Sequence, residues 1–234
     1  MSSLFSRLGH CLRTTALKLP KRALSAVPRS SIRSFHHSPI RLLTLTDPSR
    51  PSLYYHLIEY PTSPSYFALS FLPSPPALPT SRTILGFLPA LAMQDPSASP
   101  PTAEEEDGDG DGLGLNDFRE NAPFLRVLHA VLREGVGRDE RWKAEAVSRG
   151  EGYMSISDAR NPPMPNRTPE PEDTLGMVQV AEGQILPDSY EPMPTYRVCT
   201  TDGILTLTPE LEQLLIERLG EVDEEERAQA ARTA

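Results

Sequence analysis

TYRVCTTDGILTLTPEL, residues 195–211, decides the fold class. Branched and aromatic residues fill positions 195–200 and 204–207, and the Asp202-Gly203 pair between them is a two-residue hairpin signal, so the stretch predicts two short antiparallel strands. Thr208-Pro209-Glu210 then reads as a helix start. It offers a capping hydroxyl, a proline whose missing N–H costs nothing in a first turn, and an apolar face of Leu211, Leu214, Leu215, Ile216 and Leu219.

Working outward, the same order of strands then helix appears upstream. Residues 53–60 and 66–72 are rich in aromatic and branched side chains and are separated by Pro61-Thr-Ser-Pro-Ser65, which predicts a hairpin. A third strand is expected over 83–88, beyond a loop whose Pro75, Pro76 and Pro79 exclude ladder pairing. Phe124, Leu125, Leu128, Val131 and Leu132 share one helical face, with Asn121 as the expected cap and Gly135 and Gly137 as the stop. A second helix is expected over 139–148, where Trp142, the single tryptophan, reads as an apolar anchor against the sheet. Strands are expected at 152–157 and 174–180. The whole is predicted to be an α+β fold, a mainly antiparallel sheet with helices on one face, in a single domain over residues 50–220.

Three segments fall outside that core. Proline accounts for 25 of 234 residues, about twice the usual share, and much of it lies in linkers. Residues 94–116 are Pro, Ser, Gly and acid with almost no large apolar side chain, so a disordered insertion is expected there. Residues 161–172 read as a Pro-rich connector and 221–234 as a frayed acidic tail. The apolar runs at 67–78 and 83–93 are short and proline-broken, well under the roughly 20 residues of a bilayer span, so no transmembrane segment is expected.

The amino terminus carries an address. Up to Asp47 there is no acidic residue, while Arg7, Arg13, Lys18, Lys21, Arg22, Arg29, Arg33 and Arg41 are interspersed with Ser and Thr. Leu4, Phe5, Leu8, Leu12, Ala16 and Leu19 recur at helical spacing up to Pro20. This composition predicts a mitochondrial presequence over 1–35 and a matrix protein, with Arg33-Ser-Phe-His-His-Ser38 placing cleavage between residues 34 and 43. Removing residues 1–35 takes away seven of the 23 basic residues and none of the 32 acidic ones, leaving a net charge near −16. Direct nucleic-acid binding rests on phosphate neutralisation and is not expected of such a chain.

Several patterns invite a chemical reading and fall short of one. Asp107, Asp109, Asp111 and Gly112 match positions 1, 3, 5 and 6 of a calcium loop, but position 8 is Gly114, and Phe118 stands at position 12 where the bidentate carboxylate belongs. His56 and His129 lie on different elements with no Cys or His at metal-ligand spacing. Ser70 and Ser157 have no visible base, and Cys199 sits in a branched strand where a thiol is buried and inert. The glycines between 108 and 114 alternate with acids that repel phosphate. No catalytic, cofactor or metal residue is therefore assigned. LYYHLIEY (53–60), FALSFLP (67–73), TILGFLPA (83–90), PEDTLGMVQV (171–180) and MPTYRVCTTDGILTLTPEL (193–211) resemble an uncharacterised group of fungal mitochondrial proteins. The resemblance covers about half the chain and implies a mitochondrial setting, with no activity or cofactor attached. The function expected is that of an accessory or assembly protein binding a protein partner with a basic surface. The alternatives are a small enzyme with a dispersed site and a mitoribosome-associated protein.

Overall fold

The computed structural model describes residues 43–59, 65–90, 117–163 and 168–233. The presequence and the insertion at 94–116 lie outside the described residues, as do positions 164–167 of the connector. The fold is α+β with antiparallel sheets. A five-stranded meander runs β1 (Thr44–Thr46), β2 (Tyr54–Ile58), β3 (Tyr66–Ser70), β4 (Ile84–Pro89) and β5 (Arg119–Glu120) in sequence order. A separate three-stranded sheet holds β6 (Gly152–Ser157), β7 (Thr174–Ala181) and β8 (Gln184–Pro192), and β9 (Cys199–Thr200) pairs with β10 (Gly203–Ile204). The helices are α1 (Ala122–Gly135), α2 (Glu140–Arg149) and α3 (Pro209–Thr233).

One apolar core joins both sheets and all three helices. Leu69 and Leu85 from the meander, Phe124 and Leu132 from α1, Trp142 from α2, Met154 and Val178 from the small sheet, and Leu211 and Leu215 from α3 are all buried in it. Gly135 lets α1 and α3 approach closely: a Cβ there would stand 2.6 Å from Leu211 Cδ2. The expected hairpin forms with Tyr54 opposite Ser70 and Ile58 opposite Tyr66. Trp142 is buried as an anchor.

Four local expectations are corrected. Asn121 takes the N-cap position of α1 as expected, its carbonyl accepting the Phe124 and Leu125 N–H groups, but its side chain makes no capping bond: Nδ2 donates to the Ser81 and Ile84 carbonyls at 2.8 and 2.7 Å and ties the helix to β4 instead. Residues 195–198 lie outside the paired residues of the β9–β10 ladder: the Arg197 N–H and carbonyl go to Glu172 O and the Arg160 guanidinium and the Val198 N–H goes to the Glu120 carboxylate, while Val198 O accepts both Arg160 and the Leu205 N–H. The tail is no frayed end. α3 continues to Thr233, and Val222, Asp223 and Glu226 are buried against the loop that follows β3, where Arg82 and Ser74 meet the two carboxylates. Finally, β8 was not expected at all. Its turn, Glu182-Gly183, has positive φ at both residues, 51° and 75°, the geometry of a tight hairpin built without the usual Asn or Asp.

Glu182 is the one described non-glycine residue with positive φ, a conformation that costs an ordinary side chain roughly 1 kcal/mol. Glu182→Asn is expected to raise the unfolding free energy by about 0.5–1 kcal/mol, seen as a higher urea midpoint at unchanged slope; a lower midpoint would show that the Glu182 side chain makes a compensating contact.

Candidate docking surface

The structure disperses the residues that chemistry would need together. His56 is buried in β2, where Nε2 donates to the Leu72 carbonyl and Nδ1 accepts from the Thr44 hydroxyl, both at 3.0 Å. The ring therefore locks the short β1 onto β2. His129, on α1, bonds the Tyr190 hydroxyl through Nδ1 at 2.9 Å, and that hydroxyl donates to Leu175 O at 3.2 Å. Ser70 Oγ donates to Thr83 O and accepts the Leu72 N–H, a purely local brace. Ser157 is buried at the register shift that ends β6. Burial pushes the Cys199 thiol pKa up, which keeps it protonated and unreactive. Phe118 is core, packed against Gly86, and the acidic run before it lies outside the described residues. Among the described residues no group of three or more His, Cys, Asp or Glu side chains stands where it could hold a metal ion. No described helix is long and apolar enough to cross a membrane.

Burial lowers the pKa of both histidines, at His56 against the opposing pull of the Leu72 carbonyl. The unfolded chain, titrating near 6.5, takes up protons first, so stability is full above about pH 6.5 and is lost as pH falls from there toward the folded values. The urea midpoint is expected to be lower at about pH 5.5 than at about pH 7.5, with the gap narrowed by His129→Gln. A gap of the same size in both His56→Gln and His129→Gln would assign it to other groups.

One polar cluster has no counterpart in the sequence reading. Arg160, whose side chain is 2% exposed, lies between Asp173 (Nε to Oδ1, 2.8 Å) and Asp158 (Nε to Oδ2, 3.6 Å). Its Nη1 donates to the Val198 and Gly203 carbonyls and its Nη2 to those of Glu172 and Arg197. Asp158 also accepts from the Tyr196 hydroxyl and from the Thr206 and Arg160 N–H groups. Burial pushes the Asp158 carboxyl up, and these donors pull against it. Burial opposes the charge on Arg160, yet Asp158, Tyr196 and Asp173 together hold its pKa above the ordinary value. Every guanidinium N–H is thus used inside the fold, none is left for a ligand, and the cluster is a staple joining β6, β7 and the β9–β10 ribbon.

What remains accessible is surface. An open cleft of about 630 Å³ beside the staple is rimmed by Glu120, Glu170 and Glu172, with Pro171, Pro194 and Tyr196 among its walls and Arg197 as its one cation. The second feature is the outer face of the small sheet. Met154 and Val178 point into the core, which turns Tyr153, Met177, Gln179 and Leu186 outward. Tyr153 and Leu186 flank Gln179 directly across the ladder and are 61% and 40% exposed. Acids frame them: Glu151 before β6, Glu182 in the turn, and Asp188 and Glu191 on β8. No family model, no curated protein and no solved structure matches this chain.

Proposed function

We propose that this protein is a non-catalytic accessory or assembly factor of the mitochondrial matrix that docks a partner with a basic surface. The observation that carries the reading is the outer face of the small sheet, where exposed Tyr153 and Leu186 stand on either side of Gln179 within a frame of four carboxylates. Apolar contact supplies adhesion, and the surrounding acids select a basic partner and speed its approach. A net charge near −16 after presequence removal adds long-range attraction of the same sign. The mitochondrial part of the proposal rests on the acid-free basic amino terminus. Leu43 O already accepts the Leu57 N–H, so a cut that leaves Leu43 first in the chain keeps β1 tied to the fold.

The test is affinity purification of the tagged protein from mitochondria at low and high salt, with a Tyr153→Ala/Leu186→Ala variant alongside. A stoichiometric partner of basic surface is expected at low salt, weakened as salt rises and lost in the variant. Recovery of no partner under either condition, or an unprocessed protein residing in the cytosol, overturns the reading.

A further inference from the structure

We propose that the partner docks by strand addition: an extended, basic segment pairs with the open edge of β6 through the main-chain groups of Tyr153 and Ser155. The inference rests on the docking function above and specifies how the contact is made.

The register of the small sheet shows which groups are free. The tight Glu182-Gly183 turn makes Ala181 and Gln184 the closing pair, so Gln179 and Leu186, two residues on, again face each other with their main-chain groups. The Gln179 N–H is on the β8 side, donating to Ser189 Oγ at 2.7 Å. In β6, Gly152, Met154 and Ile156 therefore bond to β7, while the N–H and C=O of Tyr153 and Ser155 face away from it. Arg149 confirms the direction, because its Nη1 reaches the Tyr153 carbonyl from outside the ladder at 2.9 Å. The Tyr153 N–H and both main-chain groups of Ser155 have no hydrogen-bond partner among the described residues.

The other described sheet edges are closed to this use. β8 carries Pro187 and Pro192 and a register shift, and β1 and β5 are three and two residues long. β6 has six residues and no proline. Its occupant follows from charge. Glu151 precedes the strand and Glu145 stands above it on α2, while the nearest cation, Arg149, is already shared between Glu145 and the Tyr153 carbonyl. A second copy of this acidic chain would meet like charge there; a segment alternating Lys or Arg with apolar residues would lay its apolar side chains beside Tyr153. Arg149 is then a placeholder, capping the Tyr153 carbonyl until an incoming N–H displaces it.

The probe is a fluorescent octapeptide of alternating lysine and valine, titrated into the processed chain at physiological salt and followed by anisotropy. Ser155→Pro removes only an outward N–H and leaves the β6–β7 bonds in place, so it is expected to weaken binding about tenfold at unchanged thermal stability. N-methylation of alternate peptide bonds in the probe keeps its charge and is expected to cost about as much, whereas Arg149→Ala is expected to tighten binding several-fold. Hydrogen exchange at the Tyr153 and Ser155 amides should slow on binding. Affinity unchanged by Ser155→Pro and by methylation of the probe overturns strand addition; if Tyr153→Ala/Leu186→Ala still abolishes capture of the mitochondrial partner, the docking function stands without it. No binding of the probe overturns the inference, and so does concentration-dependent dimerisation of the protein that Ser155→Pro abolishes, which would make a second copy the occupant.

Discussion

Replacing Arg160 by methionine is expected to destabilise the protein by roughly 3–5 kcal/mol, a large part of the stability of a typical domain. The guanidinium is buried with Asp158 and Asp173 at its Nε and four main-chain carbonyls at its terminal nitrogens. Removing it leaves two buried carboxylates without their cation and takes a donor from all four carbonyls, of which Val198 O and Glu172 O keep a second one, from the Leu205 and Arg197 N–H groups; each group left unsatisfied costs its own desolvation. For that reason an apolar replacement of the whole charge cluster, which is neutral in some proteins, is not expected to be neutral here. The carbonyls belong to the backbone and no substitution removes them. Arg160→Lys keeps the charge but offers three donors from a single nitrogen in place of a planar fork, so it should recover part of the loss only. Urea unfolding at constant slope measures both. A loss under about 1 kcal/mol for Arg160→Met would mean that water takes over the donor positions and that the staple contributes little.

This cluster also shows where the sequence stops being readable. Asp158 and Arg160, Asp173, and Tyr196 come from three places in the chain; the first three read singly as charged residues in or beside a connector, and Tyr196 as a strand residue. Their meeting depends on how β7 enters its sheet and on the Asp158 N–H bonding the Asp173 carbonyl, which no local pattern encodes. The only hint was negative. Residues 195–198 read as a strand, yet the Arg197 main-chain groups and the Val198 N–H are taken up by Glu172, Arg160 and Glu120.

The elements that were legible are those whose periodicity and punctuation agree: the 53–72 hairpin, β6, β7, the starts of α1 and α3, and the β9–β10 hairpin, whose turn falls one residue earlier than expected, at Thr201-Asp202, with Gly203 paired to Thr200. β8 was hidden because Glu182-Gly183 lacks the Asn or Asp that advertises such a turn, and because Pro187 and Pro192 forbid a central strand while permitting an edge. The face proposed for docking was half legible. Alternation in β6 marks one face as apolar, but that Tyr153 and Leu186 flank one residue, and that β6 rather than β8 presents the open edge, follows only from register.

Truncation after Gly220 is expected to cost about 3 kcal/mol, where a frayed tail would cost almost nothing. The stripe that packs α3 inward runs Leu211, Leu215, Leu219, Val222 and Glu226, spacings of three and four that continue one helical face to its last turns. The acidic run 223–226 masks this in the sequence, since the stripe ends on a carboxylate. Burying Val222 contributes on the order of 1.5–3 kcal/mol. Glu226 adds charge-assisted hydrogen bonds from the Arg82 main chain and Nε at 3.1 and 3.0 Å, and burial notwithstanding, donors from Ser81 and Arg82 hold its pKa below the ordinary value. Against this stand Asp223 Oδ1 and Glu226 Oε2, both buried without a partner, so their removal relieves a cost even as the Arg227 and Ser74 contacts to Asp223 Oδ2 are lost. The carboxylate terms therefore cancel in part, and the apolar contact dominates. Glu226→Gln separates the two: it keeps the helix and Val222 and should account for about a third of the loss. A truncated chain that unfolds at the same urea concentration as the full one would show that α3 ends, energetically, at Leu219.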